Sequence, residues 1–144
     1  MNVAAVLDNK GRHVHTIHPA ATVADATNSL AGAEIGALVV TTVEGDVLGI
    51  LSERDVVRGL RRYGAAVLTM TVADLMTRRV NTCTSEDSIT QVMQRMTAGR
   101  HRHMPVLDGG RLTGMVSIGD VVKSRIEEVE LERGVLRDCY IASR

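Results

Sequence analysis

The chain repeats itself, and nothing else in it constrains the fold as much. The stretch Gly-Ile-Leu-Ser-Glu-Arg-Asp-Val-Val begins at Gly49, and Gly-Met-Val-Ser-Ile-Gly-Asp-Val-Val begins at Gly114, 65 residues further on. Upstream the spacing is 66: Val14 and Thr16 match Val80 and Thr82, Val23 matches Ile89, Leu30 matches Met96, and Val40 matches Val106. The one-residue difference falls in Thr-Thr-Val-Glu-Gly, between Val40 and Asp46, opposite Leu107-Asp108-Gly109-Gly110 in the other copy. A solvated hairpin turn tolerates such an insertion. The lead-ins agree as well, Val3-Ala4-Ala5-Val6-Leu7 with Val72-Ala73-Asp74-Leu75-Met76. Units repeating at a fixed period bury their apolar faces against one another.

Each copy carries the same alternation of patterns. A short strand (about 14–17 and 80–83) precedes a helix with apolar spacing Val23, Ala26, Leu30 and Ile89, Val92, Met93, Met96. Two strands around a Gly-bearing turn follow, near 37–42 with 46–51 and 103–107 with 111–116. A second helix opens at Ser52 or Ser117. The expected fold class is mixed α/β (α+β): two β-α-β-β-α repeats packed sheet to sheet about a pseudo-twofold axis, because one unit alone buries too little surface. The expected division is residues 1–62, a connector at 63–71, residues 72–127, and a C-terminal helix and tail at 128–144. The last helix is expected to reach about 133, with Val122, Ile126 and Val129 on one stripe that Leu136 and Tyr140 continue. A stripe that outruns the repeat suits a partner, such as a second copy of the chain; it equally suits a helix that caps its own domain.

Composition narrows the function. The 144 residues carry 17 basic and 17 acidic side chains and are 44% hydrophobic, with two Tyr, no Phe and no Trp. A disordered chain is excluded, and a balanced charge without stacking aromatics speaks against nucleic acid. No apolar run approaches the ~20 residues that span a bilayer. The opening MNVAAVLDNKG does not read as a secretory signal. Cys83 and Cys139 make neither a disulfide framework nor a metal pair, so a reduced, cytoplasmic setting is expected.

The Ser-x-x-Asp of each copy supports two accounts. Ser52 with Asp55, and Ser117 with Asp120, have the spacing of a helix capping box. A helix N-terminus also offers free N–H groups to an anion, a hydroxyl can donate to phosphate, and a carboxylate one turn later can accept from both hydroxyls of a ribose. Gly49 and Gly114 are expected to clear backbone for a flat ligand. Two matched copies in equivalent places strengthen the ligand account.

On these residues, with Val-Ala-Asp-Leu-Met-Thr at 72–77 and Arg-His-Met-Pro-Val at 102–106, the chain resembles a tandem pair of cystathionine-β-synthase (CBS) domains, a Bateman module. The resemblance implies a non-catalytic sensor whose clefts between repeats take AMP, ADP, ATP, NAD or S-adenosylmethionine. It implies ribose binding by Asp55 and Asp120 and phosphate binding by Ser52 and Ser117. It places adenine against Thr16, Ile17 and Ala37 in one copy, and Thr82, Cys83, Met104 and Pro105 in the other. The alternative is an interaction module with empty clefts.

The copies differ around these positions. Arg100-His101-Arg102-His103 precedes the second strand of repeat two, where repeat one has Glu34-Ile35-Gly36-Ala37. Arg102 and His103 are therefore expected to bind phosphate in the second cleft, making it the better phosphate site. Arg54 is the local cation of the first and could serve a ligand held mainly by the other copy. The His-x-His pairs at 13/15 and 101/103 supply too few ligands for a typical zinc site, and no metal is expected. No nucleophile-and-base arrangement points to an enzyme. The expected partners are an adenine nucleotide, a second copy in a homodimer, and an effector protein that reads the ligand state.

Overall fold

A computed structural model of the chain describes residues 1–142; positions 143 and 144, assigned above to the tail, lie outside the described residues. The fold is mixed α/β with two small sheets. It runs α1 (Val3–Lys10), β1 (Thr16–Ile17), α2 (Val23–Ala33), β2 (Ala37–Thr41), β3 (Val47–Ser52), α3 (Glu53–Tyr63), a 3₁₀ turn (Gly64–Thr69), α4 (Val72–Leu75), α5 (Ile89–Gly99), β4 (His103–Asp108), β5 (Arg111–Ser117) and α6 (Ile118–Ala142). β1 lies parallel to β2, and β2 antiparallel to β3. In the second copy β4 and β5 form the hairpin, and the strand expected at 80–83 shrinks to one bridge from Cys83 to Val106. The Cys83 N–H donates to Pro105 O at 3.0 Å and the Leu107 N–H to Cys83 O at 2.8 Å. Both hairpins carry a register shift before the turn, at Val40/Thr41 and Val106/Leu107.

The helices start where the sequence supplies caps. Thr22, Ser52, Thr71 and Ser88 each accept from the backbone N–H three residues on. Both α2 and α5 end on a residue in the left-handed region at the matched positions Glu34 (φ 55) and Arg100 (φ 54). That turn lets their last carbonyls be satisfied before the chain enters β2 or β4. Gly64, at φ 62, ends α3 in a region that favours glycine.

Two apolar cores result, and each borrows from the other repeat. One gathers Val23, Ala26, Leu30, Leu38, Val40, Leu51 and Val56 of the first copy with Val67, Val72 and Met76 from beyond it. The other gathers Cys83, Ile89, Val92, Met96, Met104, Val106, Val116 and Val121 with Val3, Val6 and Leu7 of α1. The lead-ins are exchanged: α1 covers the second unit and α4 the first. Backbone bonds fasten both. Val3 N–H donates to Asp87 O and Ala4 N–H to Ser85 O; Val72 N–H donates to Ala21 O, all within 2.9 Å. Complete burial of α1's Val3 and Leu7 contributes ~1.5–3 kcal/mol per side chain. α6 runs 25 residues, past the 133 expected and through Gly134.

Candidate functional site

Ser52 and Ser117 stand where a strand hands over to a helix, at β3–α3 and β5–α6. Both motifs close the reciprocal cap. Ser52 Oγ accepts from the Asp55 N–H at 3.3 Å, and Asp55 Oδ2 accepts from the Ser52 N–H at 2.9 Å. In the other copy the corresponding distances are 3.1 Å and 2.9 Å. Capping is thus real in both places, and what separates them is the rest of each carboxylate's surroundings.

Asp55 is buried. Its Oδ2 also accepts from the Ser52 hydroxyl at 3.1 Å, and its Oδ1 from the Thr77 hydroxyl at 3.2 Å, with Arg58 Nη1 at 4.0 Å. Beside them opens a cavity of about 440 Å³, within the range usual for small-molecule sites. Ser52, Arg54 and Asp55 line one side, and Arg100, His101, Arg102 and His103 the other. Arg58 and Arg79 add positive charge, against Glu53 and Asp55 as the acids of the lining. Ile50 and Val80 form its apolar wall, with Thr77 and Asn81 alongside.

The row Arg100–His103 therefore faces the motif of the first repeat, which corrects the expectation that it would serve the second. The crossing of the chain explains it. Arg100 turns the backbone at the end of α5, Ile118 N–H donates to Arg102 O at 2.8 Å within the second unit, and the row lines the cavity together with residues of the first unit. His103 packs against Gly36 so closely that a Cβ there would lie 3.0 Å from the ring. Burial holds the His103 imidazole below its ordinary range; the Lys10 charge pushes the same way, while Glu53 and Asp120 oppose it.

Asp120 meets a different neighbour. Lys10, in the last turn of α1, donates to Asp120 Oδ2 at 2.6 Å and to Met115 O at 2.9 Å. A smaller cavity of about 260 Å³ lies there, lined by Asn9, Lys10, Asp120, Lys123, Ser124 and Glu127 among others. Burial resists ionisation of Asp120, but the hydrogen bonds from Lys10 and the Ser117 N–H, with the lysine charge, hold its carboxyl below the usual carboxylate range.

The adenine positions lie apart from the larger cavity, and the expectation for the glycines is corrected. None of Thr16, Ile17, Ala37, Thr82, Cys83, Met104 and Pro105 lines the large cavity. Ala37, Cys83, Met104 and Pro105 are buried, and the Cys83 thiol is raised to about 11, by burial first and by the Asp87 charge next. Nor do the two glycines face open space. A Cβ on Gly49 would lie 2.8 Å from Met76 Sδ and from Thr77 O, and one on Gly114 would lie 2.7 Å from Leu7 Cδ1. They are small so that the exchanged lead-ins can approach the strands. The cavity that Arg102 and His103 line is the one holding Asp55.

Lys10 and Thr77 went unforeseen, though both lie in lead-ins that the repeat made visible. Thr77 stands where the first copy has Asp8, a hydroxyl against a carboxylate, which is the one signal the sequence carried. His101 contacts Asn81 through its ring nitrogen, and His13 stacks edge-on against His15 at 4.6 Å between ring centres. Among the described residues no three His, Cys, Asp or Glu side chains form a metal-sized group. No described helix is long and apolar enough to cross a membrane.

Comparison with known proteins agrees with this architecture. The model of the CBS domain matches residues 6–62 and 72–127. The mitochondrial CBS domain-containing protein CBSX3 of Arabidopsis thaliana is 39% identical over 118 residues, which is 78% of this chain and 57% of that protein, so the chain spans little more than half of that relative. The crystal structure of the CBS-domain containing protein ATU1752 from Agrobacterium tumefaciens is 46% identical and superposes with a TM-score of 0.85, over 87% of this chain and 99% of that one. Two more distant structures share the fold: the CBS domain pair of MJ0100 in complex with 5-methylthioadenosine and S-adenosylmethionine (22% identical, TM-score 0.79, 89% of this chain and 98% of that one) and CBSX2 in complex with AMP (21%, 0.72, 88% and 96%). Two repeats with exchanged lead-ins, a Ser-x-x-Asp cap at each second helix, and a family match over both halves lead to one conclusion: this chain belongs to the CBS-domain family, with two such domains in tandem.

Proposed function

We propose that the chain is a regulatory, non-catalytic module that binds an adenine nucleotide in the Asp55 cleft and passes its ligand state to a partner protein. One observation carries this: a cavity of nucleotide size combines a helix N-terminus, a buried carboxylate and arginines from both repeats. Asp55 would exchange the Ser52 and Thr77 hydroxyls for those of a ribose. Arg54, Arg100 and Arg102 would meet phosphate, for which guanidinium provides planar, charge-assisted donors. Ile50 and Val80 supply the aliphatic wall for the base. MJ0100 and CBSX2, in complex with adenosine compounds, support the ligand class. The excess of arginine favours phosphate-bearing members (AMP, ADP, ATP, NAD) over S-adenosylmethionine, whose sulfonium is itself cationic.

Because the cleft is built from both repeats, a ligand bridging them changes their relative packing, which is the difference a partner could read. A second reading has its own observation. Asp55 is already fully engaged by Ser52 and Thr77, as it would be in a purely structural corner. Calorimetric titration of AMP, ADP, ATP, NAD and S-adenosylmethionine separates the two. The sensor binds at least one phosphate-bearing ligand more tightly than S-adenosylmethionine; no heat and no rise in melting temperature with any of the five leaves the structural corner.

A further inference from the structure

The helix after the first Ser-x-x-Asp is sealed against its lead-in, and the helix after the second is not. A Cβ on Gly59 of α3 would lie 2.7 Å from Leu75 Cδ1 and 2.8 Å from Val67 Cγ2, so two apolar side chains close that face. At the matched places the second copy has Ser124 for Gly59 and Val6 for Leu75. Val67 has no counterpart, because it belongs to the 3₁₀ connector that follows α3, whereas α6 runs on as helix. One shorter side chain and one missing side chain leave the cavity of about 260 Å³ between α1 and α6.

Its floor is a hydroxyl. Ser124 is only 8% exposed, yet among the described residues its side chain has no hydrogen-bond partner, and its oxygen is not sealed in but opens on the cavity. A polar group so deeply placed normally has a partner. Asp120, Lys123, Ser124 and Glu127 recur at i, i+3, i+4 and i+7, so they share one face of α6. Asn9 and Lys10 meet them from the last turn of α1. Lys10 is engaged by Asp120 at 2.6 Å. Among the described residues Lys123 and Glu127 have no ion-pair partner, and the Asn9 amide has no hydrogen bond.

Two ammonium groups against two carboxylates decide what fits. A simple anion drawn to Lys10 and Lys123 also meets Asp120 and Glu127, and a simple cation meets the same conflict reversed. A zwitterion satisfies both signs at once. We propose that the cavity between α1 and α6 is a binding site for a small free α-amino acid. The ligand carboxylate accepts from Lys123 and from Lys10, which keeps Asp120 as its other partner. The ligand ammonium donates to Glu127, and the Ser124 hydroxyl, set between Lys123 and Glu127 on the helix, bonds the same polar head. Val6 is the apolar wall for the side chain. The volume lies below the range usual for drug-sized ligands, so the side chain is short and a nucleotide does not enter. This cavity shares no lining residue with the Asp55 cavity, so the proposal stands or falls independently of nucleotide binding.

Titration of the full ¹⁵N-labelled chain with L-alanine, followed by amide chemical shifts, tests this. Saturable shifts are expected at residues 6–10 and 120–127, with a Kd on the order of 1 mM. N-acetylalanine lacks the ammonium, alaninamide lacks the carboxylate, and inorganic phosphate is an anion alone; none of the three saturates the same amides over that range. Glu127→Gln and Lys123→Met, both at exposed positions that leave the fold intact, each weaken alanine binding about tenfold, the loss of one charge-assisted bond. Ser124→Ala weakens it a few-fold. Absence of saturation with alanine, equal shifts with N-acetylalanine or phosphate, or wild-type affinity in Glu127→Gln each overturns the proposal.

Discussion

The two Ser-x-x-Asp corners share a sequence, a cap and a helix start, yet one opens on a cavity lined with arginine and the other grips a lysine. The difference lies in what the opposite repeat contributes. Over Asp55 the second repeat sets Arg100–His103 at the cavity rim, and α4's exit brings Thr77. Over Asp120 the first repeat sets the end of α1 and thus Lys10. A local motif prepares a helix terminus and a carboxylate; whether these meet a ligand or a salt bridge is decided from across the molecule.

The largest test of this contrast is in ligand affinity. Asp55→Asn keeps the shape of the corner but removes the acceptor pair for a diol, and Arg102→Ala removes an exposed cation. Each is expected to weaken AMP binding about 10- to 100-fold, the loss of one or two charge-assisted bonds, while Asp120→Asn changes it less than about twofold. Isothermal titration of the three variants checks the ranking; equal losses at Asp55 and Asp120 would erase the distinction between the clefts.

Next in size are the glycines. Gly49→Ala drives a Cβ against the backbone oxygen of Thr77, whereas Gly114→Ala meets only the flexible end of Leu7. The first is expected to cost about 2–3 kcal/mol and the second about 1 kcal/mol in urea unfolding, because a carbonyl cannot rotate away as a leucine can. Equal costs would mean that the two lead-ins are not held with different rigidity.

Lys10 offers a finer handle. The folded chain lowers the Asp120 carboxyl, so the unfolded chain binds more protons on the acid side. Stability from this pair is present above the ordinary carboxylate range and is lost as pH falls through it. Lys10→Met should flatten that acid limb in a series of melts, and should add a second, weaker nucleotide equivalent in calorimetry if the lysine is what closes the cleft. An unaltered acid limb would show that Lys10 does not hold the carboxylate in solution.

The smallest effect concerns His103. Its lowered titration leaves it neutral at pH 7, so protonation adds a phosphate partner only below the ordinary histidine range. AMP affinity is expected to rise a few-fold as pH falls from 7 to about 5.5 and to stay level in His103→Gln, once the phosphate's own titration is subtracted. The same lowering makes the folded chain lose stability over that interval, because the unfolded chain takes the proton more readily.

Much of this was legible beforehand because it is local. The capping serines and hairpin glycines act through neighbours within a few residues, so reading Ser52 with Asp55, or Asp108-Gly109-Gly110, required no knowledge of the far side of the molecule. The adenine positions depend instead on contacts distant in the chain. Alternation places a residue on one face of a strand but does not say which face meets the core, and Ala37, Met104 and Pro105 turned inward. The strand at 80–83 shrank to Cys83 because only that residue reaches the β4 edge.

By itself the sequence determined two equivalent β-α-β-β-α units, since repetition, periodicity and caps depend on contacts short in the chain. Only the tertiary structure decided that the lead-ins cross over, that Gly49 and Gly114 make room for them, and that one motif receives arginines while its twin receives Lys10. Those outcomes follow from burying Val3, Leu7 and Val72 in the opposite unit's core. Hydrophobic burial is non-directional, so the sequence shows that these side chains must be covered without showing by which half.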